Sequence, residues 1–317
     1  MLNTSIRTKL ESMQQLPAIP AVASIVLQAI DNPDSSGIVL AKLIERDPAL
    51  TARVLAVANS PFYGFSRKIS TVELAIVLLG LSTIKEIIIS LILQGVFARV
   101  KNNVFDINSF WRYSVFCGST ARFFARRLGY RVAGEAFVAG LMHDVGVLIE
   151  AEYFTKEFLE IREHQLKWGV SFVEAELTVI QCTHADIGAW LAERWQLPPQ
   201  LIESLYYHHS LDLADKEPLA HASIHSNKIA VSAQEKAFYL QQEIEQPLTA
   251  LVALAELFAA ELGFKKWANE PENTSPLYMP ATLIEQLTSI EMKEFLGHQL
   301  EERLVEEFDA AVEFAKI

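Results

Sequence analysis

His143 and Asp144 are adjacent in the run GLMHDVG at 140–146, and an imidazole beside a carboxylate can grip one divalent ion. The pattern predicts one helix over residues 134–150. On it the two side chains diverge by about 100° and converge on an ion lying between them. This donor pair suits iron, manganese, zinc, nickel or magnesium. Gly140 and Gly146 flank the pair. Glycine costs helix propensity, so two of them in a Leu/Val-rich helix imply that another helix, or a substrate, comes close. Further on, His184, His208 and His209 stand near the ends of successive expected helices and form a second candidate ligand cluster. His221 and His225 lie four apart, on one helical face. The plainer alternative is structural: a histidine in an apolar helix is ordinarily a packing residue, and the His143-Asp144 pair would then only tie two helices together.

Other chemistry is missing from the chain. No GxGxxG, Walker loop, HExxH or GxSxG occurs in a fitting context. Asn59-Ser60 has no general base in reach of a nucleophile role. The two cysteines, Cys117 and Cys182, sit in apolar runs; they read as buried reduced thiols, without a disulfide framework.

The 317 residues carry a formal charge of -12 with 51% hydrophobic residues, and the pI is about 5.2. An acidic surface disfavours nucleic acid and anionic membrane as partners. Arg122, Arg126, Arg127 and Arg131 could form a local basic patch, although solvation of a helix explains them equally. The greasiest stretch, residues 74–100, is split by Lys85 and Glu86, and its uncharged piece 87–98 is too short to span a bilayer. Residues 1–15 lack the apolar core of a signal peptide. A soluble, cytoplasmic protein is expected.

The elements that position these residues read as helices almost throughout, with no period-two alternation. One helix ends near Ile30. Ser35 or Ser36 caps the next, through Glu45, and Asp47-Pro48 starts another that breaks at Asn59-Ser60-Pro61. Ser70 with Glu73 and Ser171 with Glu174 look like capping boxes. Helices are expected over 71–79, 83–98, 109–128, 154–168, 183–195, 249–262, 281–296 and 299–315. Pro198-Pro199 starts a helix that ends at His208-His209, and 219–229 forms another. The loop Phe62-Tyr63-Gly64-Phe65 joins the early helices. The fold class is all-α and multi-helical. An N-terminal bundle (10–100) packs on a second helical domain (101–240), with a C-terminal helical extension (241–317).

The dispersed segments LPAIPAVASIVLQAI (16–30), IERDPALTARVLAVANSPFYG (44–64), ISTVELAIVLLGLSTIKEI (69–87), FVAGLMHDVGVLIE (137–150) and HADIGAWLAERWQLPPQLIESLYYHH (184–209) occur in order. Over roughly residues 10–230 the chain resembles the HDOD family, regulatory relatives of the HD and HD-GYP metal-dependent phosphohydrolases. The resemblance makes residues 101–240 an HD-like domain and aligns His143-Asp144 with the HD pair. It puts Tyr113 where a first histidine ligand stands, and Asn227 where a distal aspartate stands. It aligns His184, His208 and His209, more loosely, with the extra histidines of the two-metal enzymes, with Asp144 as a bridge. Both outer positions are degenerate. A phenol must ionise from a pKa near 10 to ligate, and an amide brings no charge. The Gly-Tyr-Pro signature is absent as well, since SLDLADKEP follows His209.

The resemblance therefore implies a non-catalytic signal-transduction module acting through protein partners or a small ligand, with a degenerate HD-type metal site. His143, Asp144, His184, His208 and His209 would be the residual ligands for Fe, Mn, Zn or Ni. It implies a bacterial regulator with protein partners and self-association as an option, in a stand-alone form without receiver, GGDEF or EAL segments. Residues 241–317 would be an adaptor surface or a helical cap. The competing reading is a metal-dependent phosphohydrolase acting on a nucleotide or phosphoester.

Overall fold

The computed structural model describes residues 4–12, 20–32, 35–65, 67–97, 106–127, 130, 133–209, 247–267 and 300–315. All regular elements among them are helices, so the molecule is all-α and multi-helical. Asn227, His221 and His225 lie outside the described residues, as do the expected helices 219–229 and 281–296.

The first half is built from short helices whose ends are written locally. They are α1 (Thr4–Ser12), α2 (Ala21–Asp31), α3 (Gly37–Ile44), α4 (Pro48–Ala58), α5 (Val72–Leu79) and α6 (Leu81–Phe97). Ser36 caps α3 through the Val39 amide at 3.3 Å. Asp47 accepts from the amides of Ala49 and Leu50 at 2.9 and 3.0 Å, and Pro48 sits where no amide is needed. The cap of α5 is Thr71, which accepts from Leu74, and not the expected Ser70 box. The helix begins at Val72, which makes Thr71 the residue before it and the cap. Gly80, at φ 82°, makes the α5–α6 corner, a conformation that disfavours a Cβ. Asn59 staples the loop after α4: its amide donates to the Leu55 and Ile69 carbonyls at 2.7 and 2.8 Å and accepts from Ile69 N–H at 2.7 Å. That accounts for Asn59 without a catalytic role.

The second half is organised by α7 (Ile107–Arg127), 21 residues long and capped by Asp106. Then come α8 (Ala133–Met142), α9 (Val145–Tyr153), α10 (Thr155–Trp168), α11 (Phe172–Val179), α12 (His184–Arg194) and α13 (Pro199–Tyr207). Ser171 with Glu174 forms the expected capping box, and Thr183 with Asp186 forms another. Two later helices, α14 (Pro247–Glu261) and α15 (Leu300–Ala315), pack on α7. One hydrophobic core runs from Ile6 to Ala311. Its large anchors include the fully buried Phe110, Phe116, Phe124 and Phe137, each worth roughly 1.5–3 kcal/mol of burial.

Arg122 departs from the basic-patch expectation. It is buried, its guanidinium lies 3.6 Å from the Phe62 ring centroid, and it donates to the Phe62 carbonyl. Arg126 pairs with Glu307 at 3.9 Å. These residues join the Phe62 loop and α15 to α7. Among the described residues no single helix is long and apolar enough to cross a membrane; the bent pair α5–α6 passes on composition alone.

Candidate metal centre

The His-Asp pair is not within one continuous helix. The chain breaks at 143–144, between α8 and α9, and Asp144 is the residue before α9. His143 Nδ1 takes the Gly140 carbonyl at 2.7 Å. The expected 100° divergence on a helix therefore does not describe the pair. Instead, the turn aims both side chains inward, with His143 Nε2 3.1 Å from Asp144 Oδ2.

The flanking glycines explain how other helices reach this turn. A Cβ on Gly140 would lie 2.6 Å from the Cys117 carbonyl oxygen, so α8 crosses α7 at backbone contact. A Cβ on Gly146 would collide with the His184 carbonyl, so α9 meets the first turn of α12 in the same way. The close helix approach expected from these glycines is present. It delivers His184 to Asp144.

Asp144 has two faces. On one, Oδ1 lies 3.0 Å from His184 Nε2 and 3.7 Å from His208 Nε2, and His184 Nε2 is 2.9 Å from His209 Nε2. On the other, Oδ2 meets His143 and the Lys266 ammonium, the latter at 2.5 Å. Lys266 follows α14 and also lies 3.6 Å from Glu256 Oε1. Glu256, on α14, is 3.4 Å from His143 Nε2 and accepts from the Tyr113 hydroxyl at 3.4 Å. Tyr113 thus holds Glu256 and lines the centre; its ring is 5.8 Å from that of His143.

Two donor groups result. Asp144, His184, His208 and His209 have ligand atoms within 4.8 Å of one another, and so do His143, Asp144 and Glu256. All five residues proposed from the sequence converge here, forming a cluster able to coordinate a divalent metal.

The position of Lys266, more than the hydrogen bonding of the histidines, separates the two groups. His208 Nδ1 takes the Leu205 carbonyl at 2.7 Å, so the proton sits on Nδ1 and Nε2 presents its lone pair. That Nε2 is buried without a hydrogen bond, as is His143 Nε2 in the other group, whereas Asp144 Oδ2 is already paired with Lys266. His184 Nδ1 is held by Glu176 at 2.8 and 3.0 Å, and Glu176 also accepts the His184 backbone N–H at 2.9 Å. A carboxylate behind His184 and a carbonyl behind His208 orient these two imidazoles as metal-binding histidines are oriented. The three-histidine group fits an ion. In the other group a lysine ammonium stands against the shared carboxylate.

The electrostatics agree with that division for His208 and His209, and not for His184. Burial lowers the pKa of His208 and, more strongly, of His209, which favours the neutral imidazoles that ligate metals. Burial opposes charge on His143, but Asp144 and Glu256 outweigh it and raise its pKa to about 10. His184 rises to about 9, against burial, through Glu176 and Asp144. Burial also opposes ionisation of Asp144 and Glu256, yet the neighbouring imidazoles and Lys266 hold both well below the usual carboxylate range. Behind His184, burial and the Glu176 carboxylate push the Glu150 pKa far upward.

Residues 16–211 match the HDOD domain. The chain belongs to the HDOD domain family. The fold of this HDOD chain is similar to an HDOD domain protein of unknown function from Geobacter sulfurreducens, at 24% identity and TM-score 0.71, covering 97% of this chain and 96% of that one. A candidate phosphohydrolase from Shewanella amazonensis SB2B is similar at 24% identity and TM-score 0.66, covering 97% of each. A candidate signal transduction protein from Marinobacter aquaeolei VT8 is similar at 20% identity and TM-score 0.65, covering 98% of this chain and 65% of that one. An uncharacterised protein of Treponema pallidum (strain Nichols) is 24% identical over 208 residues, covering 65% of this HDOD chain; the chain spans only 40% of that relative's length.

Glu256 and Lys266 were not found by sequence reasoning. One signal was available: Glu256 is the lone charge in the apolar run 247–260, and a single carboxylate in such a helix calls for a buried cation or ligand. Lys266 carried no comparable signal.

Proposed function

We propose that this chain is a regulatory module that signals through protein contacts, and that its centre seats one divalent ion as an internal brace. The observation that carries the reading is the burial of the centre, in which His209 alone of the candidate ligands is half-buried. His143, His184 and His208 are 0% exposed, Asp144 1% and Glu256 3%. Metal-assisted hydrolysis needs an open coordination position where water and a phosphoester meet. Here α14 and Lys266 cover the Oδ2 face of Asp144. The ion, drawn from iron, manganese, zinc or nickel by donor type, would be held by Asp144, His184, His208 and His209 and would tie α9, α12 and α13 together.

Exposed apolar side chains on α3 and α5 support contact with a partner. Val77 is 78% exposed and Ile38 61%, with Val39 and Leu78 beside them in sequence. The Marinobacter relative, described as a candidate signal transduction protein, is consistent with this reading at the level of fold.

The second reading, a phosphohydrolase acting on a nucleotide or phosphoester, is favoured by the three-histidine donor set itself. Hydrolysis of p-nitrophenyl phosphate mono- and diesters separates the two. With manganese, iron, zinc or nickel supplied, wild-type protein and Asp144→Asn should release product equally slowly. Metal-dependent turnover that Asp144→Asn abolishes would overturn the regulatory reading.

A further inference from the structure

The geometry points to Lys266 as a built-in cation that takes the place of a second ion between Asp144, Glu256 and His143, so that the centre seats one divalent metal instead of two. The inference rests on the ion seat proposed above and says what fills its neighbour.

Three observations support it. The first is position. Lys266 Nζ is 2.5 Å from Asp144 Oδ2 and 3.6 Å from Glu256 Oε1, and it lies 5.3 Å from the Tyr113 ring centroid. An ion bound to Asp144 Oδ2 on that side, at roughly 2.0–2.2 Å, would overlap the ammonium group. The second is charge. Two carboxylates buried beside one another need cations. A lysine tethered to the chain supplies one permanently, where a metal would depend on supply.

The third is fixation. Lys266 lies between two anchored aromatics. Phe264 stacks on Phe116 with centroids 4.0 Å apart. Trp267 is buried, lies 5.1 Å from Phe172, and carries the Arg162 guanidinium 4.2 Å above its ring. With both neighbours held by α7, α10 and α11, the lysine is directed inward. The loss of outer ligands inferred from the sequence then has a counterpart: the vacated charge is provided by the segment after α14.

The test is metal stoichiometry on the full, untagged chain. Wild type, Lys266→Ala and Lys266→Arg are equilibrated with Co²⁺, and bound cobalt is counted by mass spectrometry and by visible ligand-field bands. Lys266→Ala should bind one more Co²⁺ per chain than wild type, with a second set of bands. Lys266→Arg should match wild type, and adding Glu256→Ala to Lys266→Ala should remove the gain. An unchanged count in folded Lys266→Ala overturns the inference. If that variant fails to fold, Lys266→Met replaces it, and wild type that already saturates at two ions overturns the inference without any variant. Wild type that binds none while Lys266→Ala binds one would uphold the role of Lys266 and remove the ion seat proposed above.

Discussion

Asp144 is the residue on which the centre turns, because its two oxygens face different chemistries. Oδ1 looks toward the imidazoles of His184 and His208, and Oδ2 toward His143 and Lys266. The imidazole side depends on a partner that never touches the ion. Glu176 fixes His184 through both ring and backbone, and losing such a support typically costs metal affinity 10–100-fold. Glu176→Gln keeps the size and removes the charge. It should weaken Co²⁺ or Zn²⁺ binding by about that factor, read by competition with a chromophoric chelator. Unchanged affinity would mean that His184 is not a ligand. Of these residues, the histidines and Asp144 were legible because their side-chain chemistry is conspicuous in an apolar context. Lys266 was not, since a lysine in a polar turn looks like any solvated lysine until its neighbours Phe264 and Trp267 are seen to be anchored.

At the scale of elements, the centre exists because helices touch backbone to backbone. Gly146 faces the His184 carbonyl with no room for a methyl group. Gly146→Ala should separate α9 from α12, destabilise the fold by about 1–3 kcal/mol, and lower metal content. Urea unfolding followed by metal analysis checks both effects. An alanine variant with wild-type stability and metal content would show that the crossing tolerates a side chain. Helix starts were legible where proline marks the first turn, joined by a side-chain cap at Asp47-Pro48 and through fixed proline geometry alone at Pro198-Pro199. The break at 143–144 was not legible. Residues 134–150 have no proline and a continuous apolar pattern, and the turn is set by tertiary contacts around His143 and Asp144. The Ser70 box failed for a subtler reason, since neighbouring hydroxyls at 70 and 71 compete for one cap.

For the molecule as a whole, the all-α class followed from helical periodicity, whereas the return of the C-terminal segment over the centre did not. Periodicity says that α14 buries its surface, and tertiary packing alone decides against what. The two halves meet at Glu86 on α6, whose carboxylate occupies the space a side chain at Gly134 on α8 would fill. Burial raises the Glu86 pKa to about 7, with Arg122 opposing. A carboxylate with a raised folded pKa contributes fully below its unfolded value of 4.5, and that contribution is lost as pH rises through 7. Glu86→Gln should therefore flatten the decline in stability between pH 4.5 and 7 relative to wild type, by on the order of 3 kcal/mol. Parallel curves for the two proteins across this window would place Glu86 in water.

The central claim is that the buried centre is an ion seat bracing the fold. Thermal unfolding of metal-stripped protein with and without excess Zn²⁺ or Mn²⁺ tests it most directly. A ligand at 100 times its dissociation constant stabilises by about 2.7 kcal/mol, which raises Tm by on the order of 5 °C for a chain of this size. The account predicts that rise in wild type and its loss in the His184→Ala, His208→Ala double variant. A wild-type Tm unmoved by either ion would contradict it.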